Sequence, residues 1–273
     1  MRIGLIAGGG QFPLLFCKKA KQAGYAVFAA AYVNEADDAL NRLADAVEWM
    51  HLGQLNRLIR FFKKNGVESA VMLGAITKRR LFRDVRPDMK AISLVSGLRH
   101  THDDGLLRVF ADFLQKNGIA VQPSTFLLPD LLARSGRWTR ARWPRSAKAD
   151  ARFGWSIAKE IGRLDIGQCV VVEGGTVLAV EAIDGTDAAI ARGGRLGSGE
   201  AVVIKVCKPI QDERFDVPAV GRQTIETMQQ SGVRWLLLEA GRAVVFDRPE
   251  MIALADKQGI GITALDTAGL AGF

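Results

Sequence analysis

The stretch "MRIGLIAGGGQFP", residues 1–13, decides how this chain is read. Residues 2–7, RIGLIA, form a short apolar run, the pattern of a strand buried on both faces of a sheet. Gly8, Gly9 and Gly10 turn the chain, and Pro13 suits the first turn of a helix running to about Gly24. Strand-like YAVFAA, helix-like QLNRLIRFFKKNG and strand-like ESAVMLGAI follow. Strands alternating with helices predict a parallel sheet covered on both faces, so residues 1–133 are expected to form a Rossmann-like α/β domain.

Further along, DDGLLRVFADFLQKNG predicts an amphipathic helix, with Leu106, Leu107, Phe110 and Phe113 on one face and Gly118 at its end. Composition then shifts. RSGRWTRARWPRSAK, residues 134–148, carries six cations and two tryptophans without a helix or strand period, and reads as a basic linker. Beyond it, ADARFGWSIAKEIGR predicts a helix and QCVVVEGGTVLAVEA two strands joined at Gly174-Gly175. AVVIKV, RQTIETMQQSG, RWLLLEA, RAVVFD and RPEMIALADKQG continue the alternation. The expected fold class is therefore α/β in two domains. A Rossmann-like parallel sheet comes first, and a second α/β domain with a mixed sheet follows over residues 149–273.

With 273 residues and 48% hydrophobic content, the chain can bury two cores. No apolar run is long enough for a membrane helix, and the N-terminus enters a strand rather than a signal-peptide pattern, so a cytoplasmic protein is expected. Cys17, Cys169 and Cys207 share no C-x-x-C spacing, which argues against a disulfide framework or a zinc site. The net charge of +8 is unevenly spread: residues 131–163 hold 9 Lys/Arg against 2 Asp/Glu, whereas residues 164–273 hold 10 against 15. A basic centre beside an acidic C-terminal part points to an anionic surface and a separate cation-dependent site.

The glycine turn either lets backbone N–H groups approach a phosphate or only permits a tight turn. It lacks the last glycine of G-x-G-x-x-G, Pro13 standing there, and no acid ends the second strand, so a dinucleotide site is poorly supported. His100 and His102 diverge at i, i+2 spacing on a helix, while Asp103 and Asp104 suit an N-cap and first turn whether or not they also serve a site. Glu181 ends a strand, and Thr186 and Asp187 open a helix, where they can cap it or meet a ligand. KPIQDERFDVPAVG, residues 208–221, concentrates the chemistry. Asp212, Glu213 and Asp216 offer oxygen ligands for a hard cation such as Mg²⁺, and Lys208 and Arg214 can hold phosphate. The alternative is a solvated loop whose local ion pairs contribute about 0–1 kcal/mol each.

IAGGGQFP, EIGRLDIGQ, LAVEAIDGTDA, KPIQDERFDVPAVGRQTIE and EAGRAVV, in this order, resemble the UDP-2,3-diacylglucosamine pyrophosphatases of the LpxI type. The resemblance implies a two-domain, Mg²⁺-dependent hydrolase that cleaves UDP-2,3-diacylglucosamine to UMP and 2,3-diacylglucosamine 1-phosphate (lipid X) in lipid A biosynthesis, with water attacking the α-phosphorus. Its essential aspartate maps onto Asp216 in Arg214-Phe215-Asp216-Val217-Pro218, as catalytic residue and metal ligand, with Asp212 and Glu213 as further ligands. Gly8, Gly9, Gly10, Thr186, Asp187, Lys208, Gln211 and Arg214 are the expected substrate-binding residues, and Asp103, Asp104 and Glu181 supporting acids. THDDGLL departs from the family's lysine-glycine before the paired acids. The implied partners are an acylated UDP-sugar and the anionic inner-membrane surface, met by the basic connector with Trp138 and Trp143, and no nucleic acid. A competing reading from another class is a non-catalytic nucleic-acid-binding protein using the same connector.

Overall fold

The computed structural model describes residues 1–76, 85–96, 103–209, 211–215 and 217–273, with the backbone alone at 95, 96, 103 and 104. Two compact units emerge. The first comprises Met1–Pro129 together with Asp212–Asp216, the second Asp130–Gln211 with Val217–Phe273.

The first unit runs β1 (Arg2–Ala7), α1 (Phe12–Gln22), β2 (Ala26–Tyr32), α2 (Leu40–Leu43), β3 (Ala46–Met50), α3 (Leu55–Lys64), β4 (Ser69–Leu73), α4 (Met89–Ser96), α5 (Asp103–Lys116) and β5 (Ala120–Val121). Its sheet has the order β3-β2-β1-β4-β5, parallel throughout. Five of the six residues of β1 are buried, as an apolar run without alternation requires. Gly4 lets α3 lie close, because a Cβ there would come within 2.9 Å of the Phe62 ring. The strand order reverses between β1 and β4, the place where open α/β sheets put ligands.

The second unit runs β6 (Gly136–Arg137), α6 (Arg145–Arg163), β7 (Cys169–Glu173), β8 (Thr176–Val180), α7 (Thr186–Leu196), β9 (Val202–Lys205), β10 (Ala219–Val220), α8 (Arg222–Gln230), β11 (Trp235–Glu239), β12 (Val244–Val245), α9 (Arg248–Lys257), β13 (Gly261–Leu265) and α10 (Thr267–Ala271). Its main sheet is mixed, in the order β6-β13-β11-β9-β7-β8: β13, β11 and β9 are parallel, and β6 and the β7–β8 hairpin antiparallel. Alternate residues of β9 and β11 feed two cores. Val203, Leu236 and Leu238 join Ile190, Ile225 and Met251 on one face, and Val202, Ile204 and Leu237 join Trp143 and Trp155 on the other.

The expected linker over residues 134–148 is instead built into this unit. Arg137 pairs with Thr263 in the sheet, Trp138 donates its backbone N–H to Ile262 O at 2.9 Å, and α6 begins at Arg145. Trp143 is buried against Trp235 and Phe273, with ring centroids 5.1 and 5.0 Å away. Trp138 lies under the Arg248 guanidinium, 5.2 Å from its ring centre. Composition suggested a tether because the arginines dominate it, yet the tryptophans between them supply core area, so neither indole is a free membrane anchor. We expect Trp143→Leu to cost about 2 kcal/mol in urea unfolding, a core effect that a tether residue would not produce.

Candidate active site

At the carboxyl ends of β9 and β11 two charged side chains close otherwise apolar strands, and each organises a network. Lys205, the last residue of β9, is 5% exposed, and its Nζ donates to Thr186 Oγ1 and Ala219 O, both at 2.8 Å. The Thr186 hydroxyl donates in turn to Glu181 Oε1 at 2.7 Å, and Glu181 Oε2 accepts the Gln168 backbone N–H at 3.2 Å. The ammonium and the carboxylate are thus joined through one hydroxyl in a buried, charge-balanced chain. Gly185, at φ +86°, makes the turn into α7 that presents Thr186, while Asp187 in the same first turn is exposed.

Glu239, the last residue of β11, is 6% exposed and accepts from Lys159 Nζ at 2.8 and 2.6 Å and from the Cys207 backbone N–H at 2.7 Å. Lys159 also donates to Cys207 O at 2.9 Å. The backbone leaving β9 is therefore gripped on both its N–H and its C=O by one ion pair. Gln211 then closes the turn: its Oε1 accepts from Lys208 N at 2.9 Å and from the Cys207 thiol at 3.1 Å. Burial pushes the Cys207 thiol up from its ordinary value, which keeps it a protonated donor. Lys208 Nζ meets Asp165 Oδ1 at 2.6 Å, so the cation expected to hold phosphate is bound within the fold to a carboxylate 43 residues earlier.

In the first unit, Asp212 is clasped by Arg214. Oδ1 accepts from Arg214 Nε at 2.9 Å and its backbone N at 3.1 Å, Oδ2 accepts from Nη2 at 2.7 Å, and Arg108 of α5 stands 3.8 Å away. The hydrogen bond from Arg214 holds the Asp212 carboxyl below its usual range, with the charges of Arg214 and Arg108 adding. Because the folded value is depressed, the clasp is complete above the ordinary carboxylate range and is lost as pH falls through the lowered value. Ser124 anchors the same segment, donating its N–H at 2.9 Å and its hydroxyl at 3.0 Å to Glu213 O. The glycine turn is also committed: Gly8 N donates to Leu73 O and Gly9 N to Ala75 O, each at 2.8 Å. A Cβ on Gly8 would come within 2.5 Å of Ala75 O, so close backbone approach alone demands glycine there. Gly10 turns outward at φ +90°.

A metal site was expected on Asp212, Glu213 and Asp216. Both Asp212 oxygens accept from the Arg214 fork, so a cation there would share that carboxylate with the guanidinium. Among the described residues no group of three His, Cys, Asp or Glu converges. Asp216, His100 and His102, and the side chains of Asp103 and Asp104, lie outside the described residues. Of the expected site residues, those brought together are Glu181 with Thr186, Lys208 with Gln211, and Asp212 with Arg214. Sequence reading passed over the partners Lys205 and Asp165, and the pair Lys159 and Glu239 that holds the Cys207 backbone. For Lys205 and Glu239 a signal existed, since AVVIK and WLLLE each end a buried strand on a charge at the edge where α/β sheets do chemistry.

Residues 2–131 match the model of the LpxI N-terminal domain and residues 134–263 that of the LpxI C-terminal domain. The chain belongs to the LpxI family. A curated LpxI relative, UDP-2,3-diacylglucosamine pyrophosphatase LpxI of Caulobacter vibrioides, is 32% identical over 276 residues, spanning 97% of this chain and 98% of its own. The nucleic-acid-binding alternative finds no support in these LpxI matches. Solved structures resemble the chain only loosely. Pal from Bacillus thuringiensis has 7% identity and a TM-score of 0.33, covering 97% of this chain and 86% of its own. Glycinamide-RNase-transformylase T from Mycobacterium tuberculosis has 15% identity and a TM-score of 0.26, covering 67% and 44%. Neither score supports an argument from shape. Both LpxI domains are α/β, the first on a parallel sheet and the second on a mixed one.

Proposed function

We propose that the protein hydrolyses UDP-2,3-diacylglucosamine to UMP and 2,3-diacylglucosamine 1-phosphate, with water attacking the α-phosphorus. The observation that carries this reading is the match to the Caulobacter pyrophosphatase, which spans 97% of this chain and 98% of that relative. Asp216 is the proposed catalytic carboxylate. The turn Cys207–Gln211, fixed by Lys159 and Glu239, sets where the loop carrying Asp216 begins. Thr186, held by Lys205 and Glu181, and Asp187 beside it stand at the N-terminal end of α7, whose amides and dipole suit phosphate oxygens.

Mg²⁺ belongs to the proposal as an activator. When bound, a divalent cation neutralises charge on the diphosphate oxygens and lowers the cost of developing more. Asp216 is the proposed ligand, with Glu213 beside it. UMP release is expected to stop in excess chelator and return with added Mg²⁺, whereas a His100/His102 double alanine variant keeps its turnover. Full activity in chelator would remove the metal from this account. The reaction itself is tested in oxygen-18 water: label in UMP establishes attack at the α-phosphorus, and label in the lipid product would refute it.

Two acyl chains hold the substrate in a bilayer at about 0.8 kcal/mol per buried methylene, so the enzyme must work at a membrane surface. No helix among the described residues is long and apolar enough to cross one. Peripheral association with the cytoplasmic face of the inner membrane is therefore part of the proposal. Exposed Arg134, Arg137, Arg140, Arg142 and Arg145 support it, each contributing about 1 kcal/mol near an anionic leaflet.

A further inference from the structure

A cavity of about 710 Å³ opens in the second unit, with Arg140, Arg142, Pro144, Glu200, Arg234 and Trp235 in its wall. It lies at the amino ends of the parallel strands. Trp235 begins β11 and Glu239 ends it, which sets the cavity about 13 Å along the strand from the Glu239 network of the same unit. None of the residues assigned to hydrolysis lines it.

Its charges do not cancel. Glu200 is shared between Arg234 Nη1 at 3.1 Å and the Trp235 indole N–H at 3.0 Å. Asp256 accepts the Arg140 backbone N–H at 2.7 Å, and the Arg140 guanidinium stands back at 3.7 Å, its side chain 94% exposed. Arg142 makes no ion pair among the described residues. Two carboxylates thus face three guanidinium groups. Helix α6 starts beside them with Pro144 as N-cap and no side-chain cap, so its first amides and dipole add positive potential on the same wall. Forked guanidinium donors together with helix N-terminal amides match the several oxygens of a phosphate better than the two of a carboxylate.

We propose that this cavity binds a phosphate-bearing anion, supplied either by a phospholipid headgroup or by a phosphate in solution. The test uses the full chain, Arg142→Glu, Arg140→Glu/Arg142→Glu, and Arg163→Glu as a variant with the same charge change at the far end of α6. Binding is measured to phosphatidylcholine vesicles with and without phosphatidylglycerol. Binding of inorganic phosphate at constant ionic strength is followed by tryptophan fluorescence, to which Trp235 contributes. The expected result is about tenfold weaker binding for Arg142→Glu, with Arg163→Glu unchanged. If the loss falls on phosphatidylglycerol vesicles, the ligand is a headgroup. If it falls on inorganic phosphate while vesicle binding is equal across variants, the ligand is a soluble phosphate. Equal affinities of the wild type and both cavity variants for both probes would overturn the site. UMP release from a short-chain substrate without vesicles, measured in the same preparations, reports the hydrolytic reading separately.

Discussion

Asp216→Ala is expected to fold as the wild type does and to lose about 10²–10³-fold or more in turnover, the usual cost of removing a group that stabilises charge developing in a transition state. Retained folding follows from the loop's anchors, none of which uses that side chain. Before it, Asp212 is clasped by Arg214 and Glu213 O holds Ser124. After it, Pro218 O accepts the Val244 N–H at 2.7 Å and β10 pairs with β12. Two neighbouring variants separate chemistry from loop structure. Asp212→Ala releases both Arg214 and Arg108, so it should loosen the loop and lower turnover less steeply. Glu213→Ala alters an exposed side chain and leaves the Ser124 anchor, which is made to backbone, so it should be nearly neutral in urea unfolding, while its loss of turnover, expected to be smaller than that of Asp216→Ala, reports its part beside Asp216. Urea unfolding, substrate retention and UMP release on all three decide the matter. A folded, active Asp216→Ala enzyme would transfer the catalytic role elsewhere.

Breaking the Lys159–Glu239 pair should have the largest effect on stability. Both Glu239 oxygens accept from Lys159, and the side chains are 7% and 23% exposed, so either charge left alone is held away from water. Glu239→Gln and Lys159→Met are each expected to lose about 3–5 kcal/mol in urea unfolding. The double variant should recover part of that, because no uncompensated charge remains. Strict additivity of the two losses, or single losses under about 1 kcal/mol, would show a solvated pair of the surface kind. Since the same pair fixes Cys207 N and O, turnover should fall further in the single variants than unfolding at the assay temperature explains.

How much of this was legible varies from residue to residue. RIGLIA announced β1, and the alternation of strand-like and helix-like segments announced an α/β chain, because burial on both faces removes the polar residues that would otherwise interrupt a strand. Thr186 was legible as a helix opening and Glu181 as a strand end. Their meeting through one hydrogen bond depends on the turn at Gly185, which sequence spacing alone leaves open. The connector was misread because six cations outweigh two tryptophans in composition, while Trp143 is buried in the core against Trp235 and Phe273.

By itself, then, the sequence determined the succession of elements, the family and the loop that holds the proposed chemistry, since these rest on local periodicity, turn residues and ordered motifs. Tertiary structure alone decided that Lys159 answers Glu239 across 80 residues and Lys208 answers Asp165 across 43, that Asp212 is clasped by Arg214, and that arginines at the amino ends of β9 and β11 surround a cavity. The physical reason is that a charge finds its partner by which strand ends converge when the sheet forms. Chain separation carries no record of that convergence.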